Sequence, residues 1–180
     1  MANPLDDISA QVSKRRNFDT PPLHLWQPDL SGDIPIRIDR EGRWYHEEAP
    51  IERESLVRLF ASILRREDDG EYYLVTPVEK WRIEVELYPL MVIDINKELA
   101  DTAVVSLEAT LNTGKIVPVN NEHGLFMVPE ASDAAAIRLS HGLSALFTRS
   151  AWYRLVDMAQ TREGQVGVES DGQWFPLAAE

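Results

Sequence analysis

The sequence predicts an α+β fold made of two tandem related units, each a mostly antiparallel sheet with one main helix. Two stretches carry apolar residues at helical spacing, about 53–66 and 149–161. Most of the remaining chain alternates short strand-like runs with Gly, Asn and Asp turns. The two helical stretches also match each other. With Ile51–Glu67 laid on Phe147–Glu163, five of 17 positions are identical: Arg53/Arg149, Arg58/Arg154, Leu59/Leu155, Arg66/Arg162 and Glu67/Glu163. Chance gives about one such identity at ordinary amino-acid usage. The Arg matches weigh most, because an apolar stripe does not dictate them.

Residues 5–16 read as a short amphipathic helix. Leu5, Ile8 and Val12 share a face, Asp6 and Asp7 open it, and Lys14-Arg15-Arg16 close it, in the order that complements the helix dipole. Thr20-Pro21-Pro22 stops it. Ile34–Ile38 and Arg43–Tyr45 flank Asp39-Arg40-Glu41-Gly42, a hairpin signal. The helix expected over 53–66 buries Leu56, Val57, Leu59, Phe60, Ile63 and Leu64, and Asp68-Asp69-Gly70 ends it. Strands are expected at about 72–77, 82–87, 90–95 and 105–111, the last turning at Asn112-Thr113-Gly114 into 115–117. Leu125–Val128 and Ile137–Leu139 are further strands, with 130–136 a loop between them. The helix at 149–161 buries Trp152, Leu155, Val156 and Ala159. Gly164–Val168 and Gln173–Phe175 form a last hairpin about Ser170-Asp171-Gly172.

Composition narrows the function. The 180 residues carry a net charge of −12, and each half nets −6. A broad nucleic-acid surface needs clustered Lys and Arg, and docking on anionic lipid needs the same, so neither a nucleic-acid polymer nor a membrane is expected as partner. Cysteine is absent, which removes thiolate metal sites, disulfides and a cysteine nucleophile, and suits the cytoplasm. The first residues show no secretory pattern, and no apolar run is long enough to span a bilayer.

Known catalytic patterns fail. Asn112-Thr113-Gly114-Lys115 lacks the upstream Gly of a P-loop, since position 109 is Ala, and Ile116 replaces its Ser or Thr. No G-x-G-x-x-G or G-x-S-x-G exists, and the four His have no metal-ligand spacing. No catalytic residue, metal or cofactor is therefore expected. The ligand-binding candidates are Arg53 and Lys80 to neutralise an anion, Thr76 and Asn112 to hydrogen-bond it, Trp44 or Tyr45 to stack on it, and Glu79. Glu79 lies in Thr76-Pro77-Val78-Glu79-Lys80, a polar turn between apolar strands, where a general base would also fit. Ordinary roles compete with each: ion pairs with the many acids for the Arg and Lys, strand connection for the turn, hairpin packing for Trp44 and Tyr45.

Several ordered stretches carry a family resemblance. They include Pro21-Pro22-Leu23-His24-Leu25-Trp26, Gly42-x-Trp44-Tyr45, Pro50-Ile51-x-Arg53, Val57-Arg58-Leu59-Phe60, Leu74–Lys80, Gly142-Leu143-x-Ala145-Leu146 and Tyr153-x-Leu155-Val156-Asp157. From about Pro21 to Leu177 the chain resembles the bacterial domain of unknown function family 1285. The resemblance implies a duplicated α+β fold whose C-terminal half is similar to pleckstrin-homology-like barrels. It also implies a nucleotide-like ligand held between the halves and a role in signalling, with no catalytic residues to carry over. The chain departs from the family pattern at Gly124, where Pro is expected, and at 130–136, Ala-rich in place of a Pro-aromatic tract.

The expected organisation is an N-terminal arm or short helix over 1–20, a first α+β unit over 21–90 and a second, PH-like unit over 91–180. The expected function is a cytoplasmic ligand-binding or regulatory module for a small anionic or nucleotide-like ligand. The alternative is a protein–protein adaptor that uses no small molecule.

Overall fold

The structure, a computed structural model, describes residues 4–13, 20–132 and 134–178. Lys14-Arg15-Arg16, the expected close of the first helix, lie outside the described residues. Contacts divide the chain into two compact units, Met1–Pro89 with His141–Leu143, and Leu90–Ser140 with Ser144–Glu180.

The first unit begins with α1 (Pro4–Ser13), whose Leu5, Ile8 and Val12 are buried, as their spacing requires. A six-stranded sheet follows. β1 (Leu30–Ile38), β2 (Trp44–His46) and β3 (Ala49–Pro50) form an antiparallel meander. Pro50 has no N–H to donate and sits in the edge strand, where none is needed. After α2 (Glu54–Ser62) comes a second meander of β4 (Leu64–Arg66), β5 (Tyr72–Val75) and β6 (Lys80–Val85). β1 and β6 then pair in parallel, so the order is β3-β2-β1-β6-β5-β4. The β1–β6 ladder is irregular between Asp33 and Arg37, where Pro35 cannot donate. Phe60 of α2 is fully buried and stacks on Trp44, ring centroids 6.3 Å apart.

The second unit repeats that strand order. β7 (Leu90–Ala100), β8 (Ala103–Leu111) and β9 (Ile116–Pro118) form one meander. β10 (Leu125–Val128), β11 (Ala134–Arg138) and β12 (Ser144–Phe147) form another. The first and last of these six strands, β7 and β12, again pair in parallel. α3 (Arg149–Asp157) follows, N-capped by Thr148, whose hydroxyl accepts from Ala151 N at 3.3 Å. It leads into a three-stranded antiparallel sheet of β13 (Gln160–Arg162), β14 (Gln165–Ser170) and β15 (Gln173–Pro176). β14 packs against β8 and β15 against β10, but among the described residues no ladder joins the two sheets. The unit is thus partly barrel-like and not closed.

The helix match seen in the sequence has a local counterpart only, since α2 and α3 each lead into a three-stranded antiparallel meander. The helices begin 95 residues apart and β4 and β13 begin 96 apart, but β4–β6 belong to a six-stranded sheet whereas β13–β15 form a separate three-stranded one. Arg53 caps the start of α2, and Arg149 is the first residue of α3.

Three boundaries differ from the sequence reading. The helix expected over 53–66 stops at Ser62, because Ile63 turns the chain out of the helix and the wholly buried Leu64 is extended and pairs with Leu74. The helix expected over 149–161 stops at Asp157 for the matching reason: Gln160–Arg162 pair with β14. The expected loop at 130–136 is a 3-10 turn followed by β11. Ala135 and Ala136 are fully buried between β10 and β12, a tertiary demand that outweighs the weak strand preference of Ala.

Candidate functional site

The residues singled out from the sequence divide between the units. Trp44, Tyr45, Arg53, Thr76, Glu79 and Lys80 belong to the first unit and Asn112 to the second.

Most have internal tasks. Trp44 is buried against Phe60. Arg37 stacks over the Tyr45 ring at 4.4 Å, and the Tyr45 hydroxyl donates to Asp39 Oδ2 at 3.0 Å. Asp39 also accepts the backbone N–H groups of Glu41 and Arg43. Burial works against the Asp39 charge, but these bonds hold its pKa below the ordinary carboxylate value. The Thr76 hydroxyl is wholly buried and accepts from Val78 N and Glu79 N, which fixes the turn. Glu79 Oε2 accepts from the Gln11 amide of α1 at 3.1 Å. Asn112 exchanges bonds with Met91: its Oδ1 accepts from Met91 N at 3.2 Å, and its N donates to Met91 O at 2.9 Å.

Lys80 belongs to a charged network. Its ammonium donates to Glu67 Oε1 at 2.7 Å and lies 4.8 Å from the centre of the Tyr73 ring. Arg65 donates to Glu67 Oε2 at 2.8 Å and, from Nη1, to the carbonyls of Leu23 and Trp26. Partial burial raises the cost of charging Glu67, but the two cations hold its pKa below the usual value. The Tyr73 hydroxyl donates to Asp69, and that bond, with burial, pushes the phenol up to about 12. Among the described residues Arg53 has no acidic partner, and it is exposed.

The second unit holds a concavity that the sequence did not indicate. A cavity of about 160 Å³ is lined by Lys97, Val104, Leu107, Met158, Gln160, Val168, Glu169 and Gly172. It lies between the β7–β8 hairpin and the three-stranded sheet. Ser170 fixes these walls: its hydroxyl accepts from Leu107 N at 2.7 Å and donates to Val119 O at 2.6 Å. Val104 and Leu107 are three residues apart on β8, so strict alternation would place them on opposite faces. The β7–β8 pairing shifts between Glu98 and Leu99, and this bulge turns both toward the cavity. Leu99 and Val104 then pair directly across the hairpin, and both are exposed.

The charges around this cavity are not balanced. Glu169 is neutralised by Arg162 at 2.6 Å. Lys97 has no carboxylate partner among the described residues. A recess of mixed polar and apolar lining, with one ammonium that has no carboxylate partner among the described residues, can hold a small anion. Among the described residues no group of three His, Asp or Glu could hold a metal ion, and no helix is long and apolar enough to cross a membrane.

Comparison with known proteins settles the lineage. Residues 21–87 match the family model described as Domain of unknown function (DUF1285), N-terminal domain, and residues 89–177 match Protein of unknown function (DUF1285), C-terminal domain. The chain belongs to the DUF1285 family. A DUF1285 family protein from Silicibacter pomeroyi DSS-3 has a similar structure, with 34% identity and a TM-score of 0.86, covering 98% of this chain and 96% of that one. Another, from Shewanella baltica OS155, is 28% identical with a TM-score of 0.57 and covers 69% of this chain and 91% of its own. No curated protein matches the chain. The DUF1285 models together span both units, so the family covers the network about Glu67 and the cavity beside Lys97 alike.

Proposed function

We propose that this DUF1285 protein is a ligand-binding regulatory module, working in cytoplasmic signalling, whose second unit binds a small anion. The observation that carries the reading is Lys97, a cation without a carboxylate partner among the described residues, on a cavity of mixed polar and apolar lining. Lys80, by contrast, is already neutralised by Glu67. Size argues for a ligand smaller than a nucleotide, because drug-sized and cofactor ligands occupy about 300–1,000 Å³. A thermal-shift panel of small organic acids, inorganic anions and nucleotides tests it. A ligand at 100 times its dissociation constant adds about 2.7 kcal/mol to stability. If no anion shifts the transition, the reading fails.

A protein–protein adaptor is the second reading. The exposed Leu99–Val104 pair at the end of the β7–β8 hairpin favours it, being an apolar contact placed where a partner can reach. A partner that co-purifies in stoichiometric amount, is lost with Leu99→Ser, and comes with no small-molecule effect would select it.

A further inference from the structure

The end of the β7–β8 hairpin carries an unused sheet edge. β12 pairs with β7 only over Leu90–Val92, and Arg154 of α3 reaches Asp94 and Asn96. Among the described residues no strand lies along the outer edge of β7 from Lys97 onward, and residues 96–104 are all exposed. The pairing tells which backbone groups face outward. Asp101 and Thr102, both at positive φ, form a two-residue turn flanked by the paired Ala100 and Ala103. Residues flanking such a turn bond to each other, so the next pair, Leu99 and Val104, turns its N–H and C=O groups away from the hairpin. Leu107, opposite Lys97, shows the same alternation: its N–H donates to Ser170 Oγ and its carbonyl accepts from Val119 N, both outside the β7–β8 ladder. Lys97 and Leu99 therefore present backbone donors and acceptors on the outer edge of β7.

The side chains along that edge are complementary to themselves. Lys97 and Leu99, two residues apart, share a face, and Asp101 follows at the turn. Among the described residues neither Lys97 nor Asp101 has an oppositely charged partner. Leu99 is 60% exposed, and Val104, directly across the hairpin, is 47% exposed. Charges on a free edge ordinarily keep a second strand away. Here they are placed symmetrically about Leu99. With two copies antiparallel and Leu99 on the two-fold axis, Lys97 of each faces Asp101 of the other, Leu99 meets Leu99, and the Val104 side chains flank them. A shift of one residue sets Lys97 against Ala100 or Thr102 and removes both ion pairs. We infer that a second copy of this chain docks here, the outer edge of β7 against its counterpart, in an antiparallel dimer centred on Leu99. A standard interface uses about 20–30 residues a side, and this one uses far fewer, so the dimer is weak and reversible. The inference goes beyond the anion reading and does not rest on it. Because Lys97 serves both, an anion in the cavity and a second copy compete for one ammonium.

Sedimentation velocity of the whole chain at low ionic strength, over a dilution series up to about 1 mM, tests it. The expected result is a monomer–dimer equilibrium that weakens as salt rises. Lys97→Asp and Asp101→Lys should each weaken association about ten-fold or more, because like charges then oppose each other on both sides of the axis. Mixed in equal amounts, the two variants should form a heterodimer, since one copy then carries both lysines and the other both carboxylates. Leu99→Lys should abolish association by setting two ammonium groups on the axis. All three positions are exposed, so the fold is not at stake, and an amide NMR spectrum unchanged away from the hairpin checks this. A monomer at every concentration would overturn the inference, while leaving the anion reading and a foreign partner for the Leu99–Val104 pair in place. A dimer indifferent to Leu99→Lys would also overturn it, as would charge variants that stay apart on mixing.

Discussion

Ser170→Ala should destabilise the second unit by about 3 kcal/mol. The serine hydroxyl is 1% exposed and is at once acceptor for Leu107 N and donor to Val119 O. Alanine removes both bonds and leaves a buried N–H and a buried carbonyl, each costing about 1–3 kcal/mol when unpartnered. The carbonyl has the milder cost, because acceptors are more often left under-satisfied than donors. The sum falls in the lower half of the ~2–6 kcal/mol range that two such penalties allow. For a chain of this size, 3 kcal/mol corresponds to a Tm lower by about 6–12 °C. The chain has two units, so a single global transition is a poor readout. Hydrogen exchange in urea, followed at the β8 and β14 amides, isolates the relevant unit. Ser140→Ala, at an exposed position, serves as the control. If Ser170→Ala and the control agree within about 0.5 kcal/mol, the hydroxyl is not the clamp between the sheets.

Three further outcomes follow from the same geometry. Gly167→Ala should cost about 1–3 kcal/mol by urea unfolding, because a Cβ there would lie 2.6 Å from Phe175 O and from the Trp174 ring. Glu67→Gln should destabilise the first unit by about 1–3 kcal/mol, since it strips the shared anion from Arg65 and Lys80 in a partly exposed site. The pKa of Glu67 is lowered on folding, so its contribution is complete above the ordinary carboxylate value and is lost as pH falls through the folded value. Stability of the wild type and Glu67→Gln should therefore converge in acid, which pH-dependent melting checks. Tyr73 should titrate at about 12 by ultraviolet absorbance, and Asp69→Asn should bring it down. Because this pKa is raised, the stabilisation is present below the ordinary phenol value and disappears as pH rises through about 12.

How much of this was legible depended on whether the signal was local. Leu5, Ile8 and Val12 gave α1 its buried face, and Asp39–Gly42 gave the β1–β2 turn, because spacing and turn chemistry act within a few residues. The Arg53/Arg149 match marked two helices that each lead into a three-stranded meander, one within a six-stranded sheet and one separate from it. Both helices read too long, since Ile63-Leu64 and Ala159 are apolar residues that suit a helix or a buried strand equally. β11 was read as starting only at Ile137, because burial between two neighbours, not Ala134–Ala136 themselves, makes its first part a strand. The ligand candidates were drawn from residue type alone, and type does not reveal that Lys80 has Glu67 or that Glu79 has Gln11. The cavity was invisible for a further reason. It depends on a bulge that puts Val104 beside Leu107, and nothing in Val104–Leu111 signals an extra residue in the pairing.

The parallel pairs have a consequence for how the chain reaches its native state. Within every meander a strand meets its neighbour after a short turn, so those contacts close small loops. The β1–β6 and β7–β12 pairs instead join segments separated by about 50 residues, for which closure entropy must be met before any contact rewards it. Each six-stranded sheet is therefore expected to assemble as two preformed halves whose joining is the slow step. Substitutions at Ile38 or Val85, and at Met91 or Leu146, should then retard refolding, whereas those at meander turns should chiefly speed unfolding.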